Sequence, residues 1–530
     1  MPHMTNDVPA AARVIAKDFA SQAGAGWQRI IMQLTCTSGG SSMRAEVDTG
    51  GYLRSDWQSL SALREDVLES AGAEAAVIEL VVRASGGFEL SYVAGAGQLH
   101  PATQVFDREF RLPGHPRPGM PLPAAARPGC APTDPAVLAE VTALVDEFAL
   151  RYKEIKGESP QWPPGATEAE VAAAEAQLGA RLPEDLRALY RNLASDPEET
   201  GLLGRYSILP LKMVVEYYGE GEPGSLGRHD GLFDNHAVVF DSDPPLHVKR
   251  LSRNDWWITV AGDFAMNHLA VDLDPAEHGH AGQIFEYGRD IYGPVRYVAT
   301  SVSVMLAEVL DELRAGRCEV HEDSPHLQTS PGFDDRGVRD HEEVLHEFGD
   351  ADLAGAVAKL DRPERVQRLF VNDAAELDLA ALAPLTGLRE LAVNRAASVS
   401  PRPADIPSLE RLEITADRVD LGCLAEHPAL WDVKLSGAAV TISPLRTVVR
   451  LDLSGAEVVD LEALAELPNL RVLTLDHAQW RRLGEAGRLP SGLAAASCSG
   501  MVPLADAVEW ARGFGREVEL CTVTGALSDS

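Results

Sequence analysis

The hydrophobic and polar positions of the first hundred residues predict a helix and a strand pair, followed by a second helix and a second strand pair. A helix over residues 8–23 precedes the strands WQRIIMQLTCT and MRAEVDTGGYL, joined by a Gly/Ser turn at Ser38–Ser42. A second helix, SLSALREDVLESAG, precedes the strand pair AVIELVVRASGGFELSYVA, which turns at Gly86 and Gly87. This pattern predicts an α+β module with one antiparallel sheet over residues 1–110.

A stretch rich in Pro, Gly and Ala follows and predicts a linker over residues 111–135, because this composition is hostile to helices and to ladder hydrogen bonds. The pattern over residues 136–316 then predicts a second α+β domain with a leading helix. Thr167 and Glu170 have the spacing of a capping box, and Pro183 begins a further helix. The strands HAVVFDS, DWWITVAGD, HLAVDLD and GQIFEYG come before a closing helix.

Beyond a polar linker at residues 317–344, the apolar pattern repeats itself. The block L-x-x-L-x-L recurs at intervals of 18 to 22 residues, as VQRLFV from 366, LRELAV from 388, LERLEI from 409, LWDVKL from 430, VVRLDL from 448 and LRVLTL from 470. This period is typical of leucine-rich repeats, in which the apolar side chains of successive short strands stack on each other. Residues 345–530 are therefore predicted to form a leucine-rich-repeat solenoid, and the whole chain to be a multidomain α+β protein.

The side chains between the stacked leucines are predicted to face outward from these strands. They carry mixed charge and are Arg389, Glu390, Ala392, Arg411, Glu413, Asp432, Lys434, Asp452 and Thr474. Such a face is what a repeat protein presents to a protein partner, and it is equally what any solvated strand face looks like.

The charge balance excludes some classes of partner. With 80 Asp and Glu against 47 Lys and Arg, the formal net charge is −33, which repels nucleic acids and anionic membranes and attracts a basic protein. The alternative is that acidity only keeps the protein soluble. Six cysteines without a CxxC pair indicate a reducing compartment, and no apolar run reaches the ~18 residues of a membrane span. We therefore expect a cytoplasmic protein.

The sequence offers no support for catalysis, a cofactor or a metal. His341 and His346 are five residues apart, about 140° around a helix, where a zinc-protease motif needs four. Ser225 lacks the glycine two positions before it that a nucleophile elbow requires. The histidines and carboxylates between His268 and His280 are interpreted as chance polar residues at a strand end. Phosphate-cradling and dinucleotide-binding glycine motifs are also missing.

Residues 160–316 resemble the SMI1/KNR4 (SUKH) family. The matching segments are T-E-A-E-V-A-A-A-E-A-Q-L from Thr167, L-P-E-D-L-R-A-L-Y from Leu182, D-W-W-I-T-V from Asp255, H-L-A-V-D-L-D-P from His268, G-Q-I-F-E-Y-G from Gly282 and Y-V-A-T-S from Tyr297. The resemblance implies an α+β immunity module that binds bacterial toxins, many of them nucleases, and has no catalytic residues. Residues 8–110 resemble YezG/DUF600 immunity proteins through WQRIIMQL and G-G-F-E-L-S-Y.

Two adjacent tryptophans and nearby acids form the candidate protein-binding site. On a strand, one ring of the pair points to each face, so one is expected in the core and the other could be exposed. An exposed ring beside carboxylates would suit a cationic partner; alternatively, helices cover both faces. The candidate residues are Trp256, Trp257, Asp263, Asp272, Asp274 and Glu277.

The sequence thus predicts a non-enzymatic immunity protein that occludes the active surface of a basic toxin domain, possibly a nuclease. The alternative is an intracellular scaffold or regulator that recruits a resident protein through its leucine-rich repeats. An enzyme of unrecognised type is the third hypothesis, which a pocket with convergent titratable groups would favour.

Overall fold

The computed structural model describes most of the chain in two compact units. The first unit comprises Met1–Arg108, Ser398–Pro401 and Ile414–Ser530, and the second Glu109–Ala397 and Arg402–Glu413. The described residues are 8–37, 40–51, 53–95, 100–129, 131–219, 232–233, 237–263, 265–289, 291, 295–320, 324–329, 344–348, 353–400, 406–424 and 427–527. Ser225, His341 and most of the predicted 317–344 linker lie outside them.

The helices and strands follow one another in three stretches of the chain. The N-terminal stretch has α1 (Val8–Gln22), β1 (Arg29–Thr37), β2 (Gly40–Val47), α2 (Trp57–Ala71), β3 (Ala75–Arg83), β4 (Gly87–Gly95) and β5 (Thr103–Val105). The middle stretch has α3 (Pro135–Lys156), α4 (Glu168–Leu178), α5 (Glu184–Asn192), β6 (Ser207–Ile208), α6 (Leu211–Gly219), β7 (Trp257–Gly262), β8 (Asn267–Asp272), β9 (Gln283–Gly288), β10 (Arg296–Ala299), α7 (Val302–Arg314), β11 (Cys318–Val320) and β12 (Leu327–Thr329). The C-terminal stretch has β13 (Val344–Phe348), α8 (Leu353–Val357), β14 (Arg368–Asp378), β15 (Glu390–Ser400), β16 (Arg411–Ala416), β17 (Asp432–Val440), β18 (Arg450–Val458), β19 (Val472–Leu475), α9 (His477–Glu485), β20 (Ala495–Cys498), α10 (Leu504–Gly513) and β21 (Cys521–Ala526).

The first unit contains an antiparallel sheet in the order β2-β1-β3-β4-β21. Its first four strands and the helices α1 and α2 are those that the sequence pattern predicts. The fifth strand comes from the end of the chain, which the pattern did not reveal, because pairing between positions about 430 residues apart leaves no local signal. Gly525 is needed in this strand, since a Cβ there would lie 2.3 Å from Cζ of the buried Phe88 ring.

Both faces of this sheet are covered. Buried side chains of α1 and α2, including Phe19 and Leu63, pack with Ile78 on one face. Val77 and Val93 on the other face pack with Leu504 and Val508 of α10. The sheet is therefore the middle layer of a three-layer α/β/α arrangement.

The second unit contains an antiparallel meander in the order β10-β9-β8-β7-β6. The helices α3, α4, α5 and α7 contribute to one large apolar cluster with this sheet. The predicted capping box is present at the start of α4: Thr167 Oγ1 accepts from Glu170 N at 3.3 Å, and Glu170 Oε2 accepts from Thr167 N at 2.7 Å. The mixed helix and sheet architecture of this domain is confirmed.

A buried charge cluster joins α4 to α5. Arg187 is 1% exposed, although arginine is rarely buried unless it is paired. Its guanidinium contacts the buried Glu175 carboxylate and donates to Glu168 Oε2 at 2.9 Å. The Glu175 carboxylate also accepts from Leu182 N at 2.8 Å, so this charge pair fixes the connection between the two helices.

Residues 111–135, predicted as a linker, pack against the second domain. Asp255 Oδ2 accepts from the backbone N–H groups of Gly119 at 2.6 Å and Met120 at 2.7 Å. Trp256 Nε1 donates to Pro121 O at 2.9 Å, and Ala126 is buried. The segment has little regular structure, yet these bonds hold its backbone in place.

Strands begin within or beside each predicted L-x-x-L-x-L block. In the second unit, β13 and β14 pair in parallel, and β15 is the next neighbour. In the first unit, β17, β18, β19 and β20 form a parallel ladder that ends on β5, which pairs antiparallel to β20. The leucines that face inward, such as Leu391, Leu412, Leu451 and Leu473, are fully buried.

Candidate protein-binding surfaces

Neither tryptophan of the candidate site is exposed. Trp256 is 8% exposed in the main core, and Trp257 is 0% exposed on the opposite face of the sheet. The Trp257 ring lies 5.1 Å from the Phe285 ring, centroid to centroid, and packs in a cluster with Val248. Of the two alternatives left open by the sequence, the covered one therefore holds, although on the second face the cover is the segment that carries Val248 and Leu251 and not a helix.

Asp263 uses its carboxylate within the turn between β7 and β8. Its Oδ1 accepts from the backbone N–H groups of Ala265 and Asn267, both at 2.8 Å, and its Oδ2 accepts from Asn267 Nδ2 at 3.0 Å. A short polar side chain that accepts nearby backbone N–H groups is how Asp stabilises turns. This carboxylate therefore holds the hairpin closed.

Asp272 and Asp274 lie together at the end of β8 and are bonded within the domain. Asp272 is fully buried and accepts from Asp274 N at 2.9 Å and from Gln283 Nε2 at 2.8 Å. Asp274 accepts from Lys249 Nζ at 2.6 Å and from Asn254 Nδ2 at 3.0 Å. The two carboxylates thus tie β8 and β9 to the segment that covers Trp257.

The six candidate residues do not converge on one surface. Asp272 and Asp274 adjoin each other, Asp263 lies beyond the opposite end of β8, and Glu277 is exposed in the following loop. No cluster of three or more residues able to hold a metal ion occurs among the described residues. A protein-binding role for the exposed Glu277 and the partly buried Asp263 and Asp274 stays a prediction.

The buried Asp272 carboxyl makes the stability of this domain sensitive to pH. Burial raises its pKa to about 7, although the hydrogen bonds from Asp274 N and Gln283 act in the opposite direction. The unfolded carboxyl has a pKa of about 3.9, so the folded state binds more protons between about pH 4 and pH 7. Folding therefore becomes less favourable as the pH rises through this window.

We expect Asp272→Asn to remove this dependence. Each unit by which folding raises the pKa of a carboxyl lowers the free energy of unfolding at high pH by about 1.4 kcal/mol, and the asparagine variant avoids this loss. Asparagine also lacks one of the two acceptor oxygens of aspartate, which offsets part of the gain in stability. The variant should therefore gain about 1 to 2 kcal/mol relative to wild type between pH 4 and pH 8, measured by urea unfolding at each pH. Glu277→Gln, at an exposed position, is the control. An Asp272→Asn difference that does not change with pH would contradict this assignment.

A row of alternating charges at the start of strands β14, β15 and β16 is buried in the second unit. Arg368, Glu390 and Arg411 are 5%, 3% and 2% exposed. A guanidinium nitrogen of Arg368 lies 3.0 Å from Glu390 Oε2, and Arg411 donates to Glu413 Oε2 at 2.8 Å. The sequence pattern predicts an outward direction for Glu390 and Arg411, but the burial of these two side chains excludes a solvated strand face at this row.

The first unit shows a buried pair and, beside it, a more exposed row. Asp432 accepts from Arg450 Nε at 2.8 Å and from a terminal nitrogen of Arg450 at 2.5 Å, a bidentate pair. Two residues further along the strands, Lys434 is in register with Asp452, and Asp452 with Thr474. These three side chains are partly exposed, and we refer to them as the ladder row.

Comparisons with known proteins locate one family domain. The family model described as "SMI1 / KNR4 family (SUKH-1)" matches residues 165–308. A "Glucan synthesis regulatory protein" of Neurospora crassa is 41% identical over 88 residues, which cover 17% of this chain and 16% of that protein. The "Cell wall biosynthesis/cell cycle regulator smi1" of Schizosaccharomyces pombe is 31% identical over 176 residues, which cover 31% of this chain and 34% of that protein. The chain therefore matches only about a sixth to a third of the length of these relatives.

A search of solved structures found an internalin from Listeria monocytogenes with 25% identity over 21% of this chain and 35% of that chain. Its TM-score of 0.19 is too low to indicate a shared fold. These comparisons lend no support to the YezG/DUF600 resemblance of the N-terminal module. No helix of the described residues is long and apolar enough to cross a membrane.

The prediction of a toxin-neutralising immunity protein is wrong. One of these fungal relatives is named as a regulator of glucan synthesis and the other as a regulator of cell wall biosynthesis and the cell cycle, which fits the alternative prediction of a regulatory protein better. The SUKH resemblance itself is confirmed by the family match. The chain therefore contains an SMI1/KNR4 (SUKH-1) family domain at residues 165–308.

Proposed function

We propose that this chain is a non-enzymatic regulatory protein that acts by binding other proteins. The observation that carries the proposal is its SMI1/KNR4 domain, which it shares with proteins named as regulators. We further propose that its C-terminal region is a leucine-rich-repeat solenoid that supplies a partner surface. The parallel strands at the predicted repeat spacing support this assignment.

The ladder row is the surface that we propose for a partner. It carries a cation, an anion and a hydroxyl on three adjacent parallel strands, where neighbouring strands lie about 4.8 Å apart. Side chains fixed at regular spacing on a rigid sheet need little ordering when a partner binds. The row therefore suits a protein partner with complementary charges.

Charge reversal in the ladder row tests this proposal. We expect Lys434→Glu with Asp452→Arg, in the full chain, to reduce capture of at least one partner about tenfold, measured by cross-linking and quantitative mass spectrometry in native cells. The control is Lys212→Glu with Glu216→Lys, which reverses an exposed i,i+4 pair on α6. Partner sets that are identical for wild type, the ladder-row variant and the control would contradict the proposal.

A further inference from the structure

Within the second unit, the acidic segment at residues 237–243 of the SUKH region packs against residues 365–389, which belong to the first two predicted repeats and are called the repeats below. The pattern HAVVFDS predicts a strand here, but the described residues 237–242 form none. The segment is instead anchored at the edge of the meander, where Asp243 N donates to Val295 O at 3.0 Å and Tyr297 N donates to Asp243 O at 2.9 Å. This anchoring leaves the side chains of Phe240, Asp241 and Asp243 in contact with the repeats.

One repeat side chain binds the backbone of this segment. Gln367 Oε1 accepts from Asp241 N at 2.7 Å, and Gln367 Nε2 donates to Asp241 O at 3.2 Å. A side-chain amide that bonds both the N–H and the C=O of one residue replaces the two bonds that a neighbouring strand would make. This contact recognises an extended backbone and does not depend on the side chain of the bound residue.

Three arginines of the repeats recognise the side chains of the segment. Arg389 donates to Asp241 Oδ2 from Nε at 3.1 Å and from a terminal nitrogen at 2.5 Å. Arg365 pairs with the carboxylate of Asp243. The guanidinium carbon of Arg368 lies 5.4 Å from the centroid of the Phe240 ring, within cation–π range. The three arginines therefore bind an aromatic side chain at position 240 and carboxylates at positions 241 and 243.

A second layer of charges orients Arg389. Glu410 Oε1 accepts from Arg389 at 2.7 Å and from Arg250 of the SUKH region at 2.7 Å. Glu410 and Arg389 are 9% and 18% exposed at their side chains, so these pairs are screened less by salt than surface pairs are. A contact built mainly from polar and charged groups resembles a transient interface more than a permanent apolar one.

We infer that Gln367, Arg365, Arg368 and Arg389 form a binding site for an extended acidic protein segment. In the free protein, the chain's own residues Phe240–Asp243 occupy this site, and we refer to them as the resident segment. The partner is a protein segment that presents an aromatic residue and then two carboxylates with one residue between them. The resident segment competes with it and keeps the site closed. This inference rests on the proposed function as a protein-binding regulator, but it concerns a surface separate from the ladder row.

A labelled peptide with the sequence of residues 237–246 tests the inference in the full chain. Asp241→Arg places a cation beside Arg389 and so displaces the segment Phe240–Asp243 from the site, while the residues of the site stay unchanged. We expect this variant to bind the peptide at least about tenfold more tightly than wild type by fluorescence anisotropy. Adding Arg389→Glu to Asp241→Arg should remove this gain in affinity. A peptide with asparagine in place of Asp241 and Asp243 should bind the Asp241→Arg variant no more tightly than it binds wild type.

The control for charge change alone is Glu140→Arg on the exposed face of α3, which should bind like wild type. If Asp241→Arg loses its cooperative unfolding transition, the neutral isostere Asp241→Asn replaces it in the same comparison. Equal binding to wild type and the opened variant, or binding to neither, would overturn the inference and leave a purely structural contact. Capture of partners through the ladder row is unaffected by either result, so the two proposals fail separately.

Discussion

Trp257→Ala should lower the free energy of unfolding of the SUKH domain by about 3 to 5 kcal/mol, the usual cost of removing a fully buried large aromatic side chain. The ring is 0% exposed and packs with Phe285, Ala270 and Val248, so its loss leaves a cavity between the sheet and the covering segment. Urea unfolding of the full chain, followed by hydrogen exchange of peptides from β7 to β9, measures the change.

Trp57→Ala is the matched control for this prediction. Trp57 is 58% exposed at the start of α2, and its ring lies 6.0 Å from the Arg64 guanidinium. An exposed cation–π contact contributes about 0.5 to 1 kcal/mol, so the control should change stability by no more than that. If Trp257→Ala retained wild-type stability, the burial described for the Trp257 ring would be refuted.

Arg187→Ala should destabilise the same domain by about 3 to 5 kcal/mol, because it leaves a buried carboxylate without its charge partner. Glu175 is 4% exposed, and its contact with Arg187 supplies the compensating positive charge. Unfolding by urea at neutral pH measures the loss. Hydrogen exchange should place it at α4 and α5, the two helices that the pair connects.

Removing both charges separates the effect of the unpaired carboxylate from that of lost packing. Arg187→Met with Glu175→Gln should recover most of the stability, since a buried ion pair can often be replaced by uncharged groups at little cost. Arg151→Ala is the surface control: its pair with Glu154 is half exposed and contributes less than about 1 kcal/mol. Equal losses from Arg187→Ala and Arg151→Ala would show that the buried pair has no special role.

Local signals explain which parts of the fold the sequence could predict. The capping box of Thr167 and Glu170 lies within one helical turn, so its residue types alone identify the start of α4. The leucine spacing that predicts strands β14 to β19 is also visible within a window of about six residues. Helix and strand periodicity likewise predict α1, α2 and β1 to β4.

Contacts between distant segments explain what the sequence did not reveal. Adjacent tryptophans on a strand predict two opposite directions, but which face is covered depends on a segment that reaches Trp257 only through the fold. In the same way, alternation along β15 and β16 predicts the outward direction of Glu390 and Arg411 but not their burial. The pairing of β21 with β4 joins the two ends of the chain and has no counterpart in local periodicity.

The resemblance to the SMI1/KNR4 family predicts where the domain lies in the sequence. The choice between the proposed functions depends instead on the comparison with individual relatives. The resembling segments begin at Thr167 and continue to Tyr297, and the family model covers residues 165–308. A fold of this kind can host unrelated functions, so the immunity prediction rested on analogy. The relatives named as regulators redirect the proposal towards regulation by protein binding.

Covalent footprinting of the full chain with its captured partner tests the central claim, regulation through protein binding at the ladder row, most directly. Lysine acylation and carboxylate labelling should modify Lys434 and Asp452 at least about tenfold more slowly in the complex, because a bound protein covers them, while Lys212 on α6 reacts as before. Unchanged labelling of Lys434 and Asp452 in a complex that does form would contradict the claim.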